Sequence, residues 1–120
     1  MSPRKLHPLE LHPSFRAVIA AASPIAELAV SVRKDKTPSD PSTLVGVLAT
    51  ACGDLADGFA APPDSRRRRV AHQRAWHAVR EIDRAVVACR RQKLAPKDVL
   101  ERAQRAIDRA DVLVGALLPF

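Results

Sequence analysis

The sequence predicts an all-α protein, an up-down-up-down bundle of four helices with a long third helix. Three observations predict it. Apolar residues recur at helical spacing in four separate stretches. The chain has only four glycines, no tyrosine and no valine–threonine alternation, while the helix formers Ala, Leu, Arg and Glu are plentiful. Short loops separate the stretches, which suits antiparallel neighbours. At 120 residues the chain is one domain, long enough to bury a core without disulfides or metals.

Residues 1–13 read as an extended N-terminal arm, because prolines bias the residues before them away from helix. Leu6-His7-Pro8 is echoed by Leu11-His12-Pro13. The two histidines lack a third ligand, so a tail is expected there and not a metal site. The bundle domain spans 14–120. Its first helix runs from Ser14 to about Lys34, with Phe15, Val18, Ile19, Ala22, Ile25, Ala26, Leu28, Ala29 and Val32 expected inward. Pro24 removes a backbone donor and crowds the preceding turn, which predicts a kink.

The linker RKDKTPSDPST follows, with Asp40 placed to cap a helix that Pro41 opens. The second helix is expected over Pro41 to Ala60. Leu44, Val47, Leu48, Ala51, Cys52, Leu55 and Phe59 form its stripe, and Gly46 and Gly53 are expected to admit a neighbouring helix closely. Pro62-Pro63 ends it, and Asp64 or Ser65 can cap the next.

Asp64 to Gln92 is the longest run without Gly or Pro, and as a helix it would reach roughly 40 Å. Ala71, Ala75, Val79, Ile82, Val86 and Cys89 make its apolar stripe; Arg66, Gln73, His77, Arg80, Arg84 and Arg91 project to the opposite side. Arg66 to Arg69 place four cations at a helix N-terminus, against the macrodipole. That predicts compensation by fraying, by neighbouring carboxylates or by a bound anion. Trp76 and Val87 lie on a flank, where they are expected to pack against another subunit or, for Trp76, the N-terminal arm. The fourth helix opens at Pro96, and Leu100, Ala103, Ile107, Ala110, Val114 and Leu117 alternate three and four apart, as in a coiled-coil seam. The apolar tail after Leu117 is expected to dock.

Charge is unevenly placed. In residues 1–63 six cationic and six acidic side chains cancel, whereas residues 64–120 hold fourteen against seven, the whole net charge of +7. Such a face is either a solvated helix surface or a polyanion site. Arg66, Arg67, Arg69, Arg80, Arg84 and Arg91 are the candidate phosphate contacts, and arginine suits bidentate phosphate binding better than lysine, which this helix lacks. With few aromatics for base stacking, binding would be shape- and phosphate-based.

Catalytic and cofactor signals are absent from the sequence. It holds no GxSxG, P-loop, HExxH or CxxC pattern. His72 and His77 stand about 140° apart around a helix and cannot share a metal. Asp54 and Asp57 share one helix face; they read as a metal or base pair, as partners of the third helix's arginines, or as a bridge to a neighbouring subunit. A non-enzyme with no cofactor is expected. Two unpaired cysteines, no apolar leader and helical stretches interrupted by charge predict a soluble, cytoplasmic protein without a membrane partner.

The stretch L-V-G-V-L-A-T-A-C-G-D-L-A-D-G-F, followed by a polar loop and a long basic helix, resembles the core of a bacterial family. Its members are small four-helix bundle proteins first recognised as products of intervening sequences within 23S rRNA genes. Accessory proteins of diversity-generating retroelements share the fold group. The resemblance covers roughly Phe15 to Leu118, with its specific part at Leu55-Ala56-Asp57-Gly58-Phe59. Asp54 stands where the family has Asn, Asp57 where it has Glu, and Thr50 where it has Ser. The resemblance implies a bundle, assembly into a homopentamer, a basic surface that meets nucleic acid, and no enzymatic activity. Residue reading alone leaves two partners open: structured RNA or other nucleic acid, and an acidic protein docked on the basic face.

Overall fold

The computed structural model describes residues 8–32 and 43–118. The Asp40–Pro41 cap, most of the charged linker and the last two residues of the tail lie outside the described residues. Four helices make the bundle: α1 over Pro13–Ser31, α2 over Thr43–Ala60, α3 over Arg66–Arg91 and α4 over Lys97–Gly115. Among the described residues there is no strand. Each helix packs on its neighbours in chain order, and α4 closes the square against α1, so the bundle runs up-down-up-down.

One rule explains the core. In every helix a line of buried positions alternates three and four residues apart, which keeps one seam facing inward along the rod, and a few adjacent residues such as Ala78 and Val99 widen it. In α2 the line is Leu44, Leu48, Ala51, Leu55 and Gly58; in α3, Ala75, Val79, Ile82, Val86 and Cys89; in α4, Leu100, Ala103, Ile107, Ala110 and Val114. Ile25, Leu28, Leu55, Ile82 and Ile107 are fully enclosed, and each contributes about 1.5–3 kcal/mol by leaving water.

The bend falls where proline chemistry puts it. α1 consists of Pro13–Ala20 and Ala22–Ser31, meeting at Ala21 with a 25° bend. Pro24 has no N–H for the Ala20 carbonyl, and its ring presses on that carbonyl one turn earlier. The Ala21 N–H splits between the Ala17 and Val18 carbonyls at 3.1 and 3.2 Å.

The inward face of α1 departs from the expected one. Ser14, Ala17, Val18, Ala21, Ile25 and Leu28, with Val32 just past its end, are buried, while Ile19 is 45% exposed and Ala22 is exposed. α1 is apolar nearly everywhere but along the line of Arg16, Ser23 and Glu27, so its neighbours choose the face among the rest. The N-terminal arm also differs, because Pro8–Leu11 coil into a 3-10 turn instead of extending; a proline φ near −65° suits that turn.

Gly46 and Gly53 admit no close neighbour, since a Cβ at either would meet nothing within 4 Å. The tight glycine is Gly58, where a Cβ would overlap the His72 ring. α1 and α2 are each long and apolar enough to cross a membrane, with mean hydropathy 1.3, although each carries two charges (Arg16 and Glu27, Asp54 and Asp57). The charges therefore do not break these stretches as the sequence reading expected. In the bundle the buried positions of both helices join the core.

The corners are built by specific residues. Ser65 caps α3, its hydroxyl accepting from the Arg68 N–H at 3.2 Å. α3 ends in a paired turn: the Leu94 N–H donates to the Cys89 carbonyl at 3.0 Å and the Lys93 N–H to Arg90 at 3.2 Å. Lys93 sits there at φ 53°, a conformation glycine adopts without cost.

Candidate nucleic-acid interface

The net charge of the chain rests on one helix. α3 holds nine arginines against Glu81 and Asp83, α1 and α4 are each balanced, and α2 carries only Asp54 and Asp57. Its inner seam fixes which arginines face outward.

The structure divides these arginines into held and free. Arg68 turns back to the end of α2, donating through Nε to the Gly58 carbonyl at 2.8 Å and through Nη2 to the Phe59 carbonyl at 3.1 Å. A cation on the last carbonyls of α2 meets the negative end of that helix, which answers the four-arginine problem by a route the sequence did not suggest. Arg69 donates to the Asp64 carbonyl at 2.9 Å. Arg80 pairs with Asp111 at 3.4 Å and lies over the Trp76 ring, 5.4 Å from its centroid. Arg90 donates to Gln104 at 3.4 Å, and Gln104 also bridges Asp83 and Asp108 at 2.8 Å each.

Arg66, Arg67, Arg74, Arg84 and Arg91 are exposed, with no ion pair or hydrogen bond from their side chains among the described residues. Arg66 and Arg84 are five full turns apart and share one azimuth; Arg91 lies within about 20° of it. This ridge places Arg84 and Arg91 about 10.5 Å apart along the axis, with Arg66 about 27 Å beyond Arg84. Between them, Val87 floors an open depression of 430 Å³ with Asp83, Arg84, Ala88, Arg91 and Gln92.

Arg67 and Arg74 turn toward α2. With Arg66, Asp54, Asp57, Val70 and Ala71 they line an open groove of 380 Å³. Asp54 and Asp57 thus lie beside the arginines, as expected, yet neither forms an ion pair among the described residues. Arg74 is the residue the sequence reading passed over, and its seven-residue spacing from Arg67 was the available signal.

Trp76 has a partner within its own chain. Its indole Nε1 donates to Asp111 Oδ1 at 3.1 Å and its ring packs on the core beside Gly115. The four-residue offset from His72 and the flank position were legible; the carboxylate partner on α4 was not. His72 is buried with Nε2 unpartnered, and burial, then Arg68 and His12, lower its proton affinity. Burial raises both the Cys52 and Cys89 thiols. Among the described residues no group of three His, Cys, Asp or Glu side chains is placed to hold a metal.

No protein-family model matches the chain, and no curated protein shows significant similarity to it.

Proposed function

We propose that this protein is a non-enzymatic, cytoplasmic, homo-oligomeric bundle that binds nucleic acid, structured RNA above all, through the outer face of α3. The observation that carries this reading is the set of five exposed arginines, unpaired among the described residues, on the one helix that holds the net charge. An unpaired guanidinium can give all its donors to a phosphate, and several in a row release several counterions at once. The resemblance to the 23S rRNA intervening-sequence proteins supports the same reading and supplies the pentamer. The subunit contact falls to Val87 and to the Asp54–Asp57 groove, since Trp76 is committed within its own chain.

The test is a salt titration of binding to a labelled structured RNA, with duplex DNA as competitor. Binding by about four to five phosphates gives a log–log slope of roughly −3 to −4.5, and the RNA holds on better than the DNA. No binding at low salt removes the reading. A mass of one 13.1 kDa chain by light scattering at micromolar concentration removes the oligomer.

A second reading has an observation of its own. Trp76, the one tryptophan of the chain, is turned onto Asp111, which leaves the exposed His77 imidazole as the ring α3 offers to bases, so the ligand is read mainly as negative charge. An acidic protein surface satisfies that equally. Specific recovery of one acidic protein after nuclease treatment, together with failed RNA binding, selects it.

A further inference from the structure

The N-terminal turn is fastened to one corner of the bundle by three rings. His12 stacks on Phe59 with centroids 3.7 Å apart and planes 7° from parallel. Phe59 in turn meets the His72 ring edge-on at 5.0 Å. His72 is only 4% exposed, and its Nε2 has no hydrogen-bond partner among the described residues. The ring fits because residue 58 is glycine, whose missing Cβ leaves the space the imidazole fills.

This corner suits a neutral imidazole and resists a charged one. The two charges acting on it, Arg68 on its own helix and His12 in the turn, are both cationic in their protonated forms. α2 faces it with Gly58 and the Phe59 ring, whose carbonyls already accept from Arg68. Asp57, next to Gly58 in sequence, is exposed and lines the groove with Arg66 and Arg67. A proton on Nε2 would put a buried donor and a charge where no described residue accepts either.

We propose that the His12–Phe59–His72 stack is a proton-operated latch, which holds the N-terminal turn on the bundle while His72 is neutral and releases it when His72 is protonated. Release exposes the imidazole to water and moves the His12 ring away from it. Once open, His72 has the ordinary imidazole affinity, about 6.5; latched, burial holds it lower. The open form therefore binds more protons, so the latch is intact above that ordinary value and is lost as pH falls below it.

Nuclear magnetic resonance on the full chain between about pH 8 and about pH 5 tests this across the imidazole range. The readouts are ring-to-ring contacts of His12 with Phe59, and protection of the His12 and Arg16 amides, which donate to the Leu9 and His12 carbonyls. Both should be lost on acidification while the Ile82 and Ile107 amides stay protected. His72→Phe should hold the turn closed throughout, and His12→Phe should still open. Three results would overturn the latch: a stack unchanged at the acid end, opening of His72→Phe in step with the parent, or loss of Ile82 and Ile107 protection together with the turn. Should His72→Phe fail to fold, the His72 ring signal of the parent chain decides, and a midpoint at or above the ordinary imidazole value rejects the proposal.

Discussion

Trp76 and Asp111 join α3 to α4 by a 3.1 Å hydrogen bond from indole Nε1 to Oδ1, and the second oxygen of the same carboxylate holds Arg80. One acid thus settles two residues that the sequence offers to outside partners. Asp111→Ala leaves a half-buried indole N–H without its acceptor and is expected to cost about 1–2 kcal/mol. A lowered melting temperature with a shifted Trp76 fluorescence maximum would show it; unchanged emission would mean the indole finds another partner.

The same pairing ranks the arginines. Arg84 has no partner among the described residues, whereas Arg80 is shared with Asp111 and held over Trp76 and so has fewer donors to turn to a phosphate. Arg84→Glu should therefore weaken RNA binding several-fold more than Arg80→Glu at equal salt. Equal losses would show that the Asp111 pair, with Arg80 partly exposed, is too weak to hold it back.

Glycines in α2 should separate by position. At Gly53 the added methyl meets open space, so Gly53→Ala gains about 0.5–1 kcal/mol of helix propensity. At Gly58 it strikes the His72 ring, and Gly58→Ala should cost about 1–3 kcal/mol. Denaturant midpoints measure both, and a stabilised Gly58→Ala would mean that His72 moves freely.

Lys93 carries its side chain at φ 53° in a turn whose two hydrogen bonds already match the glycine form. Lys93→Gly is expected to stabilise the chain by about 0.5–1 kcal/mol. A loss of stability would show that the lysine side chain, not the backbone, sets that corner.

The cysteines give a chemical readout of packing. Burial raises both thiols, so neither forms thiolate readily at neutral pH. Alkylation of the folded chain should be slow at Cys52, slower at buried Cys89, and fast at both in denaturant. Prompt reaction of Cys89 in the native chain would indicate that the last turn of α3 opens.

Legibility followed contrast. In α3 and α4 charged residues alternate with Ala, Val, Ile and Leu, and the seam from Ala71 to Cys89 and from Leu100 to Val114 could be placed residue by residue. In α1 only Arg16, Ser23 and Glu27 mark the outside, and apolar side chains fill both flanks of that narrow polar line, so spacing does not separate exposed Ile19 from buried Ala21. The close glycine was beyond spacing rules, because only the position of His72 distinguishes Gly58 from Gly53. His72 itself lies three before Ala75 and seven before Val79, at the edge of the stripe, so its burial was readable though its missing partner was not. For the basic face, spacing located the ridge of Arg66, Arg84 and Arg91; the acids that withdraw Arg80 and the carbonyls that withdraw Arg68 belong to other helices.

Concentrating the positive charge on one rod of four gives the molecule a permanent moment directed toward α3. A polyanion then exerts a torque on the protein at distances within a Debye length, about 8 Å at physiological salt, before any side chain touches. Encounters begin with α3 already turned forward and α1 and α2, which carry no net positive charge, trailing. Added salt should accordingly slow capture more than it hastens escape, the kinetic mark of an oriented approach.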